Sequence, residues 1–240
     1  MSLHPISFMN KNFIVFLSVF CALLFHACHT SAPEREPEAI HDMSIQSGDL
    51  LFVGIPLDYR LSDSTVVDSA TPTSTAGVQE VNYIHVAILE LDEHDSLWVI
   101  DATIKHGVSR YPFREFLSDF TLKNGEYPRL EVMRLKDNKL ANRYVEQAKS
   151  YVGRDYDIHF SADNTEQYCS ELVRNAYKTD RGEYIFSEGP MDFKSADGTV
   201  PPYWVELFAL LGAPVPQGVT GTTPNAMYRE HCLVGVGQLP

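Results

Sequence analysis

Basic residues are scarce in this 240-residue chain, which carries 19 Lys and Arg against 32 Asp and Glu. Only Lys11 lies before Cys28, so the rest holds 18 basic against 32 acidic residues, a net −14. A surface of that sign repels polyanions and argues against nucleic acid or an anionic membrane surface as a partner. Cysteine is rarer still. There are four, and beyond Cys28 only Cys169 and Cys232. That excludes a disulfide-rich scaffold and leaves room for one bridge between those two. His94, His106 and the cysteines repeat no ligand spacing, which argues against a zinc site. No apolar run reaches the ~20 residues a spanning helix needs, and no internal repeat is present. Against these absences stand 44% hydrophobic and 11% aromatic residues, enough for a packed core. Roughly 210 residues beyond residue 27 fit a single domain.

The N-terminal region is organised. Lys11 precedes an apolar stretch from Phe13 to Phe25, followed by His26, Ala27 and Cys28. A charge, a short apolar run and small residues form the pattern of a secretory signal segment. Phe25-His26-Ala27-Cys28 resembles a bacterial lipoprotein processing site, which would make Cys28 the lipidated N-terminus. Ordinary cleavage near Ala27 or Ala32 is the alternative. Residues 29–44 are polar and rich in Pro and Glu, the composition of a tether. The expected division is a signal segment over 1–27, a tether over 28–44 and one domain over 45–240. The expected location is across the inner membrane, lipid-anchored in the periplasm or at the outer membrane.

Within the domain, strand signals come first. They cover Leu50–Val53, Val81–Leu91, Trp98–Thr103, Gly107–Arg110 and Arg129–Leu135. Residues 58–80, rich in Ser, Thr and Asp, read as a long loop. Helical spacing marks Pro112–Phe120, Asn138–Val152, the stretch after Cys169, and Pro201–Leu211. Gly153 and Gly212 supply stops. Strands first, with helices around and after them, predict an α+β fold: an antiparallel sheet packed against helices.

Residues 168–173 read Tyr-Cys-Ser-Glu-Leu-Val and run into the apolar positions Ala176 and Tyr177. Cys169 therefore falls in the first turn of a helix. The partial positive charge there stabilises a thiolate, the nucleophilic form, and the free N–H groups can hold an oxyanion. A cysteine nucleophile also needs a base and a group to orient it. Among His85, His94, His106, His159 and His231, His85 lies in a strand whose predicted face is Val81, Tyr83, His85, Ala87 and Leu89. A hairpin turning about Glu93 sets His85 opposite Asp101, so Asp101 can orient the imidazole; a one-residue slip would remove this. Taken singly, His85 reads more readily as a core histidine, Asp101 equally as a strand-end cap or ion-pair partner, and Cys169 with Cys232 also as a disulfide. Cys232 also reads as a buried thiol in a terminal strand.

The segments Gly48-Asp49-Leu50-Leu51-Phe52, Ile84-His85-Val86-Ala87-Ile88, Val99-Ile100-Asp101-Ala102 and Tyr168-Cys169-Ser170-Glu171-Leu172-Val173 occur in that order. With Gly153-Arg154-Asp155-Tyr156-Asp157 and the turn Gly221-Thr222-Thr223-Pro224, they resemble the circularly permuted branch of the NlpC-like papain-fold peptidases, the YiiX/YaeF group. Histidine before cysteine is the permuted order. The resemblance implies Cys169 as nucleophile, His85 as general base and Asp101 at a third polar position where relatives often carry Glu or His. The Cys169 N–H would serve the oxyanion, and Tyr83, Tyr156 and Tyr168 would wall the substrate pocket. It further implies amide-bond hydrolysis without a metal or organic cofactor, often on cell-wall peptides. Some permuted relatives act on lipid-linked acyl groups, so acyl transfer or deacylation is the alternative reaction. A binding module that kept the fold and lost the chemistry is the non-enzymatic one.

Overall fold

A computed structural model describes residues 43–62, 80–161 and 164–239. The signal segment, Cys28, nearly all of the tether and most of the 58–80 loop lie outside the described residues. The strands are β1 (Leu50–Pro56), β2 (Val81–Leu91), β3 (Leu97–Thr103), β4 (Gly107–Pro112), β5 (Arg129–Leu135), β6 (Gly189–Pro190), β7 (Thr220–Gly221) and β8 (Leu233–Leu239). The helices are α1 (Phe113–Asp119), α2 (Ala141–Lys149), α3 (Cys169–Ala176), α4 (Pro202–Leu211) and α5 (Pro224–Tyr228).

Six strands form an antiparallel sheet in the order β4-β3-β2-β1-β5-β8, and β6 pairs with β7 apart from it. β1 is central and reads as a continuous apolar run because both its faces are buried. Leu50 and Phe52 join Val86, Ile88 and Ile100 in the layer that includes Leu172 and Val173 of α3. Leu51 and Val53 join Ala87, Leu89 and Val99 beneath Phe113 and Phe116 of α1. A third cluster packs Phe160, Tyr168, Met191 and Phe193 against Trp204 and Phe208 of α4.

The β2–β3 hairpin corrects the expected register. Ile88 pairs with Ile100 and Leu91 with Leu97, so the turn centres on His94 instead of Glu93. The Asp92 carboxylate explains the shift, since it accepts from the amides of His94 and Ser96 at 2.8 and 2.9 Å. This closes a three-residue loop in which Asp95 takes a φ of 59°. The displacement is two residues, and an even displacement keeps every side chain on its face. His85 and Asp101 thus become diagonal neighbours on the same side.

A second correction lies in β2 itself. Val53 pairs with His85 but Gly54 pairs with Tyr83, leaving Ile84 as the extra residue of a β-bulge. The predicted face is broken there. Tyr83 and Val81 turn to the side of Val86 and Ile88, while His85 stays on the side of Ala87. Gly54 makes room for this crossing, because a Cβ on it would come within 2.3 Å of Val81 Cγ1.

β2 and β3 share only the pairs from Ile88/Ile100 to Leu91/Leu97. Beyond them β2 stays with β1 and β3 stays with β4. The sheet opens between the two strands, with His85 on one lip and Asp101 on the other. The tail, read only as turn punctuation with a terminal strand near Cys232, also forms α5 and a full β8. Thr223 caps α5 by accepting from the Ala226 amide at 3.1 Å.

Candidate active site

Cys169 is the first residue of α3 and is 5% exposed. Its amide is one of the orphan donors of a helix N-terminus. The helix end is fixed from several sides. Ser170 Oγ donates to the Thr222 carbonyl at 3.1 Å, and the Thr222 amide donates to Tyr168 Oη at 3.2 Å. Glu171 reaches back to the Tyr168 amide at 3.4 Å. The Gly221–Pro224 turn singled out in the sequence is therefore the seat of the cysteine helix.

Across the opening between β2 and β3, His85 Nε2 lies 2.8 Å from Asp101 Oδ2. The same oxygen accepts from Tyr111 Oη at 2.9 Å. Asp101 is fully buried, and its Oδ1 has no hydrogen-bond partner among the described residues. The short Asp side chain does reach the imidazole. The His85 ring is held by Phe120, with centroids 4.7 Å apart. Burial alone would push the His85 pKa down. The negative charge of Cys169 and the bond to Asp101 outweigh it and hold the pKa up at about 9. The Cys169 sulfur stands close enough to act on the imidazole both through the charge of its thiolate and through a side-chain contact, and catalytic hydrogen bonds of this kind are often loose before substrate binds. Nε2 is engaged by Asp101, so Nδ1 is the nitrogen left to exchange a proton with the sulfur.

Cys169 and His85 line a cleft of about 170 Å³. Tyr156 and Tyr168 line it as expected, together with Tyr203, Phe160, Trp204 and Leu207. Burial and then the Cys169 charge raise the Tyr156 pKa well above the ordinary phenol value, so its hydroxyl remains a donor. Tyr83 is the correction. It lines a separate, larger cleft of about 580 Å³ with Arg129, Asn225 and Tyr228, and it stacks on Tyr228 at 4.1 Å. The bulge at Ile84 carried it there. The larger cleft holds no thiol, so chemistry, not size, marks the smaller one as the site; Phe193 borders both.

Cys169 and Cys232 are both free thiols, so no bridge joins them. Cys232 is half-buried just ahead of β8, and burial pushes its pKa up. Sequence reasoning missed Tyr111, because the strand there was ended at Arg110. The available signal was register: Val99 faces Tyr111 and Asp101 faces Ser109, which puts Asp101 and Tyr111 on one side. Phe193, Tyr203 and Trp204 were missed as cleft residues because they reach it from distant segments.

The sequence pattern of a family described as permuted papain-like amidase enzyme, YaeF/YiiX, matches residues 44–236. The uncharacterized protein YiiX of Escherichia coli is 25% identical over 197 residues, covering 80% of this chain and 86% of that protein. A crystal structure titled as the metalloprotein YiiX of Escherichia coli superposes with a TM-score of 0.55 at 23% identity, covering 81% of this chain and 97% of that one. Both the fold and the order of a histidine strand ahead of a cysteine helix agree with that match, which takes in most of the molecule, and we conclude that the chain belongs to the permuted papain-like amidase family of YaeF and YiiX and is a cysteine peptidase or amidase.

Proposed function

We propose that Cys169 is the nucleophile, His85 the general base and acid, and Asp101 the orienting carboxylate in hydrolysis of an amide at the cell envelope. The observation that carries this is the 2.8 Å His85–Asp101 bond beside a thiol at a helix N-terminus. The Cys169 sulfur, its proton on His85 Nδ1, attacks the carbonyl carbon. We assign the holding of the resulting oxyanion to the Cys169 amide at the helix N-terminus and to the hydroxyl of Tyr156, which lines the same cleft. Collapse breaks the C–N bond, and the imidazolium gives its proton to the departing amine. A water then loses a proton to His85 and attacks the thioester, which releases the acid and regenerates the thiol.

The envelope setting rests on the Phe13–Phe25 run and Cys28; a mature N-terminus bearing a lipid mass at Cys28 would support an anchored protein, an unmodified one cut near Ala27 or Ala32 would support export without the anchor, and an uncleaved N-terminus would refute the setting. Cell-wall peptides are the first substrate class. One observation favours a second: apart from His85, no Asp, Glu, Lys, Arg or His among the described residues lines the cleft at Cys169. Its apolar walls suit a lipid-linked acyl group, whereas the charges of a peptide would have to extend past Phe193, toward Arg129 and Lys194. The YiiX crystal structure carries the word metalloprotein in its title. In this chain no three His, Cys, Asp or Glu side chains converge as ligands among the described residues, and His85 Nε2 is engaged by Asp101. The described residues of this cleft do not fit a metal, and no step runs through one.

Incubation with cell-wall peptides and with N-acyl amides of increasing chain length, followed by intact mass, tests the reading. A thioester on Cys169 is expected. A kcat/KM that rises with chain length selects the acyl reading, and turnover of the peptides alone selects the first. No thioester and no turnover from either panel would refute the mechanism.

A further inference from the structure

We infer that Tyr111 is a positioning residue whose hydroxyl sets the proton affinity of the Asp101–His85 pair. This rests on the reading of His85 as the base. A carboxylate offers about four acceptor positions on its two oxygens. In Asp101, Oδ1 has no partner among the described residues, and both donors, His85 Nε2 and Tyr111 Oη, converge on Oδ2. With no solvent contact, the carboxylate depends on those two groups to offset its burial. One of them is the base itself, which must pass protons during turnover. Tyr111 is therefore the only fixed donor Asp101 has among the described residues.

The placement is rigid. Asp101 and Tyr111 stand on neighbouring strands in a continuous ladder, and Tyr111 is only 6% exposed. The phenol is held from outside by the His106 ring, 5.4 Å away, and His106 Nε2 is fixed at 2.8 Å from Asp119. Burial and then the Asp101 charge keep the phenol protonated, so it donates throughout the working range. The ionisable groups around the pair are His85 on β2, Cys169 on α3, Glu115 and Asp119 on α1, and Lys105 with His106 before β4. A phenol-to-phenyl exchange leaves all of them in place.

A hydrogen bond donated to a carboxylate stabilises its charged form. Removing it leaves more charge on Asp101 and raises the proton affinity of the pair as a whole. Both limbs of the pH profile of kcat/KM should therefore move to higher pH in Tyr111→Phe, by about one unit, with kcat near neutrality reduced about tenfold. Phe keeps the ring that packs on His106, and the thermal midpoint, measured alongside, reports the fold. Tyr111→Met, a flexible apolar side chain without the hydroxyl, serves as a second variant and should shift the limbs in the same direction.

The experiment takes the full chain and follows both turnover and the pH dependence of Cys169 alkylation by iodoacetamide. His85→Gln identifies which limb belongs to His85. If the wild-type profile has no His85-dependent limb, the catalytic reading fails first. If it has one and neither Tyr111 variant moves it, the positioning role is overturned while the catalytic reading stands. In an Asp101→Asn background, Tyr111→Phe should shift nothing further; an additive loss of rate without movement of the limbs would show a purely structural tyrosine.

Discussion

Cys169→Ala is expected to abolish turnover, by at least about a thousandfold, the scale on which removal of a catalytic nucleophile acts. The thermal midpoint should stay within a few degrees of the wild type. The physical grounds differ for the two effects. Chemistry is lost entirely, because neither Ser170 nor another described side chain can take the place of the sulfur: Ser170 Oγ is bonded to the Thr222 carbonyl. Stability changes little, because one sulfur leaves the edge of a core whose main mass lies deeper, in Leu172, Val173 and the strands beneath. The loss is of the order of 1 kcal/mol, that of a single buried methyl-sized group. Turnover by the alanine variant, or inactivation accompanied by melting at the assay temperature, would count against a nucleophilic Cys169. Intact mass after substrate addition gives a second reading, since no acyl adduct should form.

Asp101→Asn should be the second most damaging exchange, with kcat reduced by about two to four orders of magnitude, as for loss of an orienting carboxylate. The amide fits the same space, but His85 loses the buried charge opposite its Nε2. Two of the influences that hold the His85 pKa up, the bond to Asp101 and its charge, are then weakened or absent. The alkaline limb of the activity profile should fall from about 9 toward neutrality. Stability carries the same sign. A histidine whose folded pKa lies above its unfolded value near ~6.5 adds stability that is complete below that value and lost as pH rises through about 9. The wild-type thermal midpoint should therefore fall between roughly pH 6.5 and 9 more steeply than that of the variant. An Asn variant with wild-type kcat and an unmoved alkaline limb would remove Asp101 from the site.

Parity made the shared face of His85 and Asp101 legible in the sequence. His85 and Asp101 were paired from a turn placed one residue too early, and the pairing error was two residues, which the alternation of side chains forgives. Tyr83 shows the limit of the same argument. It shares parity with His85, but the bulge at Ile84 resets the count, and nothing in the local pattern VNYIHVAILE announces an inserted residue. The signal lay in the partner strand, where Gly54 interrupts an otherwise bulky run. The cysteine helix was readable because its N-terminus and its apolar spacing are local. The cleft walls were not, because Phe193, Tyr203 and Trp204 reach Cys169 by tertiary packing, without sequence proximity. β8 was only half legible, since Gly235 and Gly237 dilute its strand signal and its pairing with β5 is long-range.

The division of the site between three adjacent strands and one later helix also sets an order of assembly. His85, Asp101 and Tyr111 lie on strands joined by short turns, so they meet at low loop-closure cost, while Cys169 is brought in by a helix far along the chain and waits for a much larger closure. On the proposed assignment the base is prepared before its nucleophile arrives, and a partly folded chain carries a thiol without its imidazole. In refolding, Trp98, whose indole is bonded to Asp92 at 2.9 Å within the first hairpin, should become buried before Cys169 gains protection from alkylation. A Trp204→Phe background would isolate that fluorescence, and simultaneous burial and protection would show instead that the strands and the helix condense together.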